Sequence, residues 1–453
     1  MKKIHFIIIF ISLIQFLSPT QVFAGSINIP ADVPYILIDS KTGQVLAEQN
    51  SDQKCGPAST TKIMTAILAL ENGNLDQEVT ISQSAVYDIG RGGMNIGIMA
   101  GEKGLTLENM VNVLLIKSAN EAANIIAENV VSSRSEFIDM MNRKAKEIGA
   151  VNTTFKNPSG KDTEKEDAGH LSTPADMAKI ARYAMTIPKF REIVSTEYYK
   201  EMPATDKHDD WGILRNSNQL LWHDNTSPYT RNGIEQRYTV IGVKTGYTAA
   251  AGNNLVAAAV DEDGMELISV VMHVMQPNKI YGYTRSLLKY GFENFSIRKI
   301  ASAGQYAAAV PVENALEEGT VLDLVTASDF SCVLPIDTDI ESIERKVNVV
   351  KPVKAPVKEG DVLGNIEYIR NGTVLGKVDI VASKPVSQAI AKQVEATETA
   401  ASSSQSYSYV LLGILLFLSF FIILRMTLRK ISRSRKKKKY TPVIGSSDDY
   451  DRL

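Results

Sequence analysis

Ser59-Thr60-Thr61-Lys62 sets a hydroxyl and an amine three residues apart. A serine is a weak nucleophile until a neighbouring base takes its proton, and a lysine serves as that base only when burial or a nearby charge lowers its pKa. On a helix, positions three apart share a face, with Cβ atoms about 5–6 Å from one another. The same pattern also begins at Ser51, Ser286, Ser296 and Ser434. Ser51 falls in a polar loop, Ser286 in a helix interior, Ser296 at a domain boundary and Ser434 in a basic tail. Ser59 alone heads a stretch with an apolar stripe (Ile63, Ala66, Ile67, Leu70) able to bury the lysine. A helix start also offers unbonded N–H groups and a partial positive charge beside the hydroxyl.

Two further clusters extend this chemistry. Ser118-Ala119-Asn120 supplies a hydroxyl to pass protons and a carboxamide to hold a peptide group. Lys244-Thr245-Gly246 supplies a cation and a hydroxyl for a carboxylate at a strand end, and its glycine lets substrate backbone approach the strand edge. Lys41-Thr42-Gly43 and Ser26-Ile27-Asn28 carry matching letters, but both precede Ser59, and the first fits a hairpin turn.

The elements that must position these groups read as an α+β fold. Tyr35–Asp39 and Gln44–Ala47 flank that turn as a β-hairpin. A helix is predicted over Ser59–Leu70, stopped by Asn72-Gly73, with others over Leu107–Ile116, Glu121–Val131, Arg134–Ile148 and Pro174–Met185. Tyr238–Lys244, Asn254–Val260 and Met265–Val274 are strand-like runs with short connections and should pair antiparallel, with a helix over Tyr281–Tyr290 closing the region. Phe295–Ser383 reads as a small all-β domain, where Asn371-Gly372 between two strand-like runs signals a type I′ hairpin.

The 453 residues are enough for two or three domains, and the net charge of −2 gives no reason to expect a nucleic-acid partner. Met1-Lys2-Lys3, an apolar run from Ile4 to Leu17 and Val22-Phe23-Ala24 form a signal peptide over residues 1–24, cleaved after Ala24. Val410–Leu424 is uncharged, bordered by Tyr407 and Tyr409, and followed by Arg425, Arg429, Lys430 and a basic run to Lys439. A transmembrane helix is expected over 409–426, after a flexible linker at 386–408 whose Ala396–Ser408 stretch is rich in Ala, Ser and Thr. Residues 427–453 form a basic cytoplasmic tail, attracted to anionic lipid rather than nucleic acid, with the body outside the cell membrane. Cys55 and Cys332 read as buried small residues, not a disulfide framework. No metal or cofactor is expected, because no histidine, cysteine and carboxylate spacing suggests a site.

The ordered set Ser-x-x-Lys, Ser-x-Asn, Lys-Thr-Gly resembles the penicillin-binding proteins and serine β-lactamases. Asn157-Pro158-Ser159-Gly160, His170-Leu171-Ser172-Thr173, Asn218-Gln219-Leu220-Leu221 and Val243–Thr248 resemble more narrowly the low-molecular-mass D-alanyl-D-alanine carboxypeptidases. That resemblance implies a serine β-lactamase/transpeptidase-like catalytic domain over 25–294, the β-domain over 295–385, and a substrate stem peptide of peptidoglycan ending in D-Ala-D-Ala. It further implies Ser59 as acyl-ester nucleophile, Lys62 as general base, Ser118 and Lys244 as proton relay, and Asn120, Thr245, Gly246 and Tyr247 as substrate-binding residues. The N–H groups of Ser59 and Tyr247 would form the oxyanion hole, and β-lactam antibiotics would acylate Ser59. Family members often carry an arginine where this chain has Ser217, and another after the last strand, where Lys279 is the cation between Gln276 and Ile280; Arg215 and Lys279 are candidate substitutes.

Four rivals differ in what they require. A Ser-His-Asp hydrolase would need one of His170, His208, His223 or His273, and the first reads as a loop residue. A β-lactamase would need a deacylating glutamate, for which Glu164 and Glu166 lie in an acidic loop without the local pattern. A D,D-endopeptidase would cut cross-linked peptides on the same fold, and an idle wall-binding scaffold would lack turnover.

Overall fold

The computed structural model describes residues 27–89, 92–162, 169–222, 225–276, 278–389 and 400–436. The expected signal peptide, Glu164 and Glu166, His223 and the residues beyond Lys436 lie outside them.

β1 (Tyr35–Asp39) and β2 (Val45–Gln49) form the expected hairpin, whose turn holds Lys41-Thr42-Gly43. The Thr42 N–H donates to Asp39 Oδ2 at 2.8 Å, and Gly43 sits at φ +79°. A 3-10 turn at Ala58–Thr61 then runs into α1 (Lys62–Asn72). Short α2 (Gln83–Tyr87) precedes α3 (Leu107–Ile116) and α4 (Asn120–Val130), joined at Lys117–Ala119. α5 (Arg134–Ile148), α6 (Pro174–Met185) and α7 (Pro188–Ser195) follow. Their limits are written in cap chemistry. Thr106 and Asn109 form a capping box for α3, Ser133 and Thr173 cap α5 and α6, and Gly149 at φ +86° ends α5.

β3 (Tyr198–Tyr199) and β4 (Leu214–Arg215) make a small ladder. β5 (Thr226–Arg231), β6 (Ile234–Thr248), β7 (Gly252–Asp261) and β8 (Glu266–Val274) complete the main sheet, followed by α8 (Lys279–Asn294). Its order is β2-β1-β8-β7-β6-β5, antiparallel throughout. Side chains alternate across a strand, so β7 sends Val256 and Ala258 to one face and Leu255, Ala257 and Ala259 to the other. The first face packs on α1, α3, α4, α5 and α6, the second on α8. Both faces are covered, so the central strands read as apolar runs without polar alternation.

β9 (Phe295–Ala301) begins the β-rich part, with β10 (Tyr306–Glu313), β11 (Val321–Thr326), β12 (Phe330–Pro335), β13 (Glu344–Val349), β14 (Val353–Lys354), β15 (Val362–Arg370) and β16 (Thr373–Ala382). β15 and β16 pair antiparallel through Asn371 and Gly372, both at positive φ (50° and 76°), as a type I′ turn demands. α9 runs from Ala400 to Lys436. The chain divides into two units: the first comprises the chain to Ala309, Asp323–Val350 and Gly360–Ser383, the second Val310–Leu322, Lys351–Glu359 and the chain from Lys384. Within the first, β9 pairs β12, and β13, β15, β16 and β11 form an antiparallel run; within the second, β10 and β14 pair in parallel.

Several expectations need correction. Ser59 lies in a 3-10 turn rather than the α-helix, because the chain tightens before α1. β6 continues four residues past Lys244 to Thr248, because β7 pairs with it throughout, so Lys-Thr-Gly is inside a strand. The linker is helical from Ala400 onward. Val410–Arg429 is a 20-residue apolar stretch that none of the described residues buries, about 30 Å long, and it fits a membrane anchor.

Candidate active site

Three elements converge on one cleft of ≈ 1030 Å³. Ser59, Ser118, Asn120, Thr245, Gly246 and Tyr247 all line it. Lys62 and Lys244 sit behind that lining, 0% and 1% exposed. All eight residues expected from the sequence therefore meet at one place.

Lys62 is the centre of the bonding. Its Nζ lies 2.8 Å from Ser59 Oγ, 2.6 Å from Asn120 Oδ1 and 2.7 Å from the Ser159 carbonyl oxygen. Burial lowers its pKa well below the usual lysine range, and the charge of Lys244 lowers it further, against a smaller upward pull from Glu121. A neutral amine has two N–H donors and one lone pair. Asn120 Oδ1 and Ser159 O can only accept, so in the neutral form they take both donors. The lone pair is then left for the Ser59 hydroxyl to donate to, whereas in the charged form the third N–H donates to Ser59 Oγ. Only the neutral form suits a general base.

Lys244 is buried as deeply, and its pKa is lowered to about 7 by that burial. Its Nζ donates to Thr245 O at 3.0 Å. Thr245 Oγ1 in turn donates to Ser217 Oγ at 3.0 Å. A Cβ on Gly246 would lie 3.0 Å from Pro57 O, Ser59 N and Thr60 N, so only glycine lets β6 press this closely on the serine turn. Ala58 and Ser118 hold positive φ (48° and 61°), a conformation costing about 1 kcal/mol or more for a non-glycine residue.

Sequence reasoning missed three contributors. The Asn157–Gly160 loop was legible as a pattern, but its function was not: Thr65 Oγ1 donates to Pro158 O at 2.6 Å, and Ser159 O is a Lys62 acceptor. A Cβ on Gly160, at φ +76°, would fall 1.8 Å from Ala58 O. Ser217, noticed as a departure, is bonded to Thr245. Glu121 gave no signal beyond an acid in a first helical turn.

Neither substitute cation takes the missing arginines' place. The Arg215 guanidinium stacks on Trp222 at 3.6 Å and faces Glu197 at 3.7 Å; neither it nor Lys279 lines the cleft. Lys161 does line it. His170 bonds Thr61 through Nε2 at 2.8 Å and accepts the Lys156 N–H through Nδ1, a loop role as expected. His208 and His273 are also absent from the cleft lining. Cys55 and Cys332 are both free and buried. No cluster of three or more potential metal ligands forms among the described residues.

Comparison with known proteins places this geometry in context. A D-alanyl-D-alanine carboxypeptidase family profile matches residues 21–276, and a profile for the penicillin-binding protein 5 C-terminal domain matches 295–388. The chain is 30% identical over 358 residues to D-alanyl-D-alanine carboxypeptidase DacF of Bacillus subtilis, covering 78% of this chain and 85% of that protein. It is also 30% identical over 368 residues to DacC of Escherichia coli, covering 78% and 84%. The crystal structure of penicillin-binding protein 5 from Haemophilus influenzae superposes with a TM-score of 0.63 at 26% identity, covering 80% of this chain and 99% of that one.

Proposed function

The chain belongs to the D-alanyl-D-alanine carboxypeptidase family of serine peptidases, and from that footing we propose how its residues remove the terminal D-alanine from a peptidoglycan stem peptide. Ser59 Oγ attacks the carbonyl between the two D-alanines while Lys62 Nζ takes its proton. The oxyanion that forms is held by the N–H groups of Ser59 and Tyr247, each worth roughly 3–4 kcal/mol in a well-ordered site. Collapse breaks the peptide bond, and the proton that Lys62 took passes by way of Ser118 and Lys244 to the departing amine, which returns Lys62 to its neutral form. Asn120 and Thr245 orient the peptide, Gly246 admits its backbone to the edge of β6, and Lys244 offers positive charge to its carboxylate. Water then attacks the ester carbonyl as Lys62 takes its proton, and that proton passes to Ser59 Oγ as the shortened peptide leaves with a new carboxyl group.

The single observation behind this reading is the Lys62 amine, buried, with its Nζ within hydrogen-bond distance of Asn120 Oδ1, Ser159 O and, at 2.8 Å, Ser59 Oγ. Benzylpenicillin, a β-lactam whose ring carbonyl Ser59 attacks in the same way, gives the test. Mass spectrometry of the ectodomain should show one adduct per chain on the peptide containing Ser59, and none in Ser59→Ala. An adduct elsewhere, or on the variant, ends the assignment. Rapid turnover of the drug would instead favour a β-lactamase.

We assign residues 1–24 to an export signal, 25–294 to the catalytic domain, 295–385 to the β-domain and 409–426 to the membrane span, with the catalytic domain outside and the basic end inside. Arg425 and Arg429, at the C-terminal side of the apolar helix, support that orientation. Protease added to intact cells should remove the body and leave the tail; the reverse pattern would invert the topology.

A further inference from the structure

Three titratable side chains at or next to the motif residues are buried: Lys62, Lys244 and Glu121, the last 1% exposed. Glu121 follows Asn120 in the first turn of α4. Its Oε1 accepts the Ile96 N–H at 2.7 Å, and its Oε2 has no hydrogen-bond partner among the described residues. The segment it grips borders the cleft through Gly93, Met94 and Asn95, and Met94 O accepts the Asn120 N–H at 2.9 Å. A second cavity of ≈ 420 Å³ is lined by Glu121, Asn95, Ile98 and Tyr87, so Asn95 borders both spaces.

We propose that Glu121 is a positioning residue for the reaction: it clamps the Met94–Ile96 segment against the start of α4 and supplies negative charge that acts on buried Lys62. The proposal deepens the assignment of Lys62 as base and rests on it. Protonating Lys62 away from water and near Lys244 is costly, and a buried carboxylate nearby offsets part of that cost. The directions agree. Lys244 pushes the Lys62 pKa down and Glu121 pulls it up, while burial raises the Glu121 carboxyl, and the Ile96 N–H and Lys62 draw it back. A lysine driven too low is a poor proton acceptor, so the anion sets how basic the amine remains. The other charged groups nearby are placed differently. Lys161 and Asp162 line the open cleft, Asp88 and Glu128 pair with Arg134, and Tyr87 lines the second cavity.

Glu121→Gln keeps the shape and the acceptor for Ile96 but removes the charge, whereas Glu121→Ala removes both. Two readouts separate charge from clamp in the full ectodomain: the NMR titration of Lys62 Cε, assigned with Lys62→Arg, and the pH profile of Ser59 acylation by benzylpenicillin. In Glu121→Gln the Lys62 midpoint and the acid limb of acylation should both move to lower pH, by about half a unit or more. Glu121→Ala should add a slower rate at every pH and faster hydrogen exchange at the Ile96 amide. An unmoved Lys62 midpoint and acid limb in Glu121→Gln overturns the proposal, whatever happens to stability. If the wild type forms no Ser59 adduct, the catalytic assignment falls instead, and the Lys62 titration still decides the charge role of Glu121.

Discussion

Lysines in two regions of this chain lead opposite lives. Around the cleft, Lys62 and Lys244 are wholly buried with depressed pKa values. In the β-rich part, Lys299, Lys346 and Lys377 are 52%, 57% and 57% exposed and pair with Asp329 or Glu367 at the surface. The strands differ in the same sense. Every second residue of β11 faces the core, whereas β7 is buried almost throughout. The amine is identical in both settings, so its chemistry is decided by solvent. A hydrated ammonium has no lone pair to offer a serine, while a desolvated amine held by two carbonyls does.

The largest expected effect that would break this contrast is Lys62→Ala. It should lower kcat/KM on a D-Ala-D-Ala peptide by ~10²–10⁴-fold with the fold retained, and a smaller loss, measured by release of free D-alanine, would demote the amine from base to bystander. Gly160→Ala comes next. Its Cβ cannot coexist with Ala58 O, so the serine turn must move; we expect about 10²-fold lower activity and ~1–3 kcal/mol lower stability in urea titrations. A variant with unaltered rates would show that the loop does not register Ser59.

The effect of pH sharpens the comparison more gently. Lys244 titrates near 7 when folded and near 10.5 when unfolded. Between those values the unfolded chain binds the extra proton, so stability should rise with pH across that window, and Lys62 acts in the same direction. Lys244→Met should flatten the rise in urea midpoints between pH 7 and 10. In parallel, KM should increase above pH 7 as the residue loses the charge offered to the substrate carboxylate; a pH-independent KM would remove that role. The smallest effect is expected at the surface. Lys299→Ala breaks an exposed pair and should change stability by no more than ~0.5 kcal/mol without altering turnover.

Much of the fold was legible because its signals are local. α3, α5 and α6 match the expected spans residue for residue, since Thr106, Ser133, Thr173 and Gly149 mark their ends by side-chain and backbone preference alone. Asn371-Gly372 specified its hairpin for the same reason. The misses are short or non-local. α7 has eight residues, too few for Phe190, Ile193 and Val194 to stand out as a repeat, and β5 hides behind Pro228, tolerable there because β5 lies at the edge of the sheet. The last turn of β6 strand character, through Gly246 to Thr248, depends on Gly252–Asn254 of β7 being present to pair with it.

The order of motifs, the caps and the strand periodicity belong to the sequence by itself, because each is set by residues a few positions apart. Which serine among five candidates is paired with a lysine was also readable, from the apolar stripe behind it. What only the folded chain decided is the state of that lysine. Its acceptors come from Asn120 and Ser159, its opposing charges from Lys244 and Glu121, and its dryness from the packed helices around α1. Desolvation and Coulomb energies depend on distances through space, and those exist only after distant segments have closed around one amine.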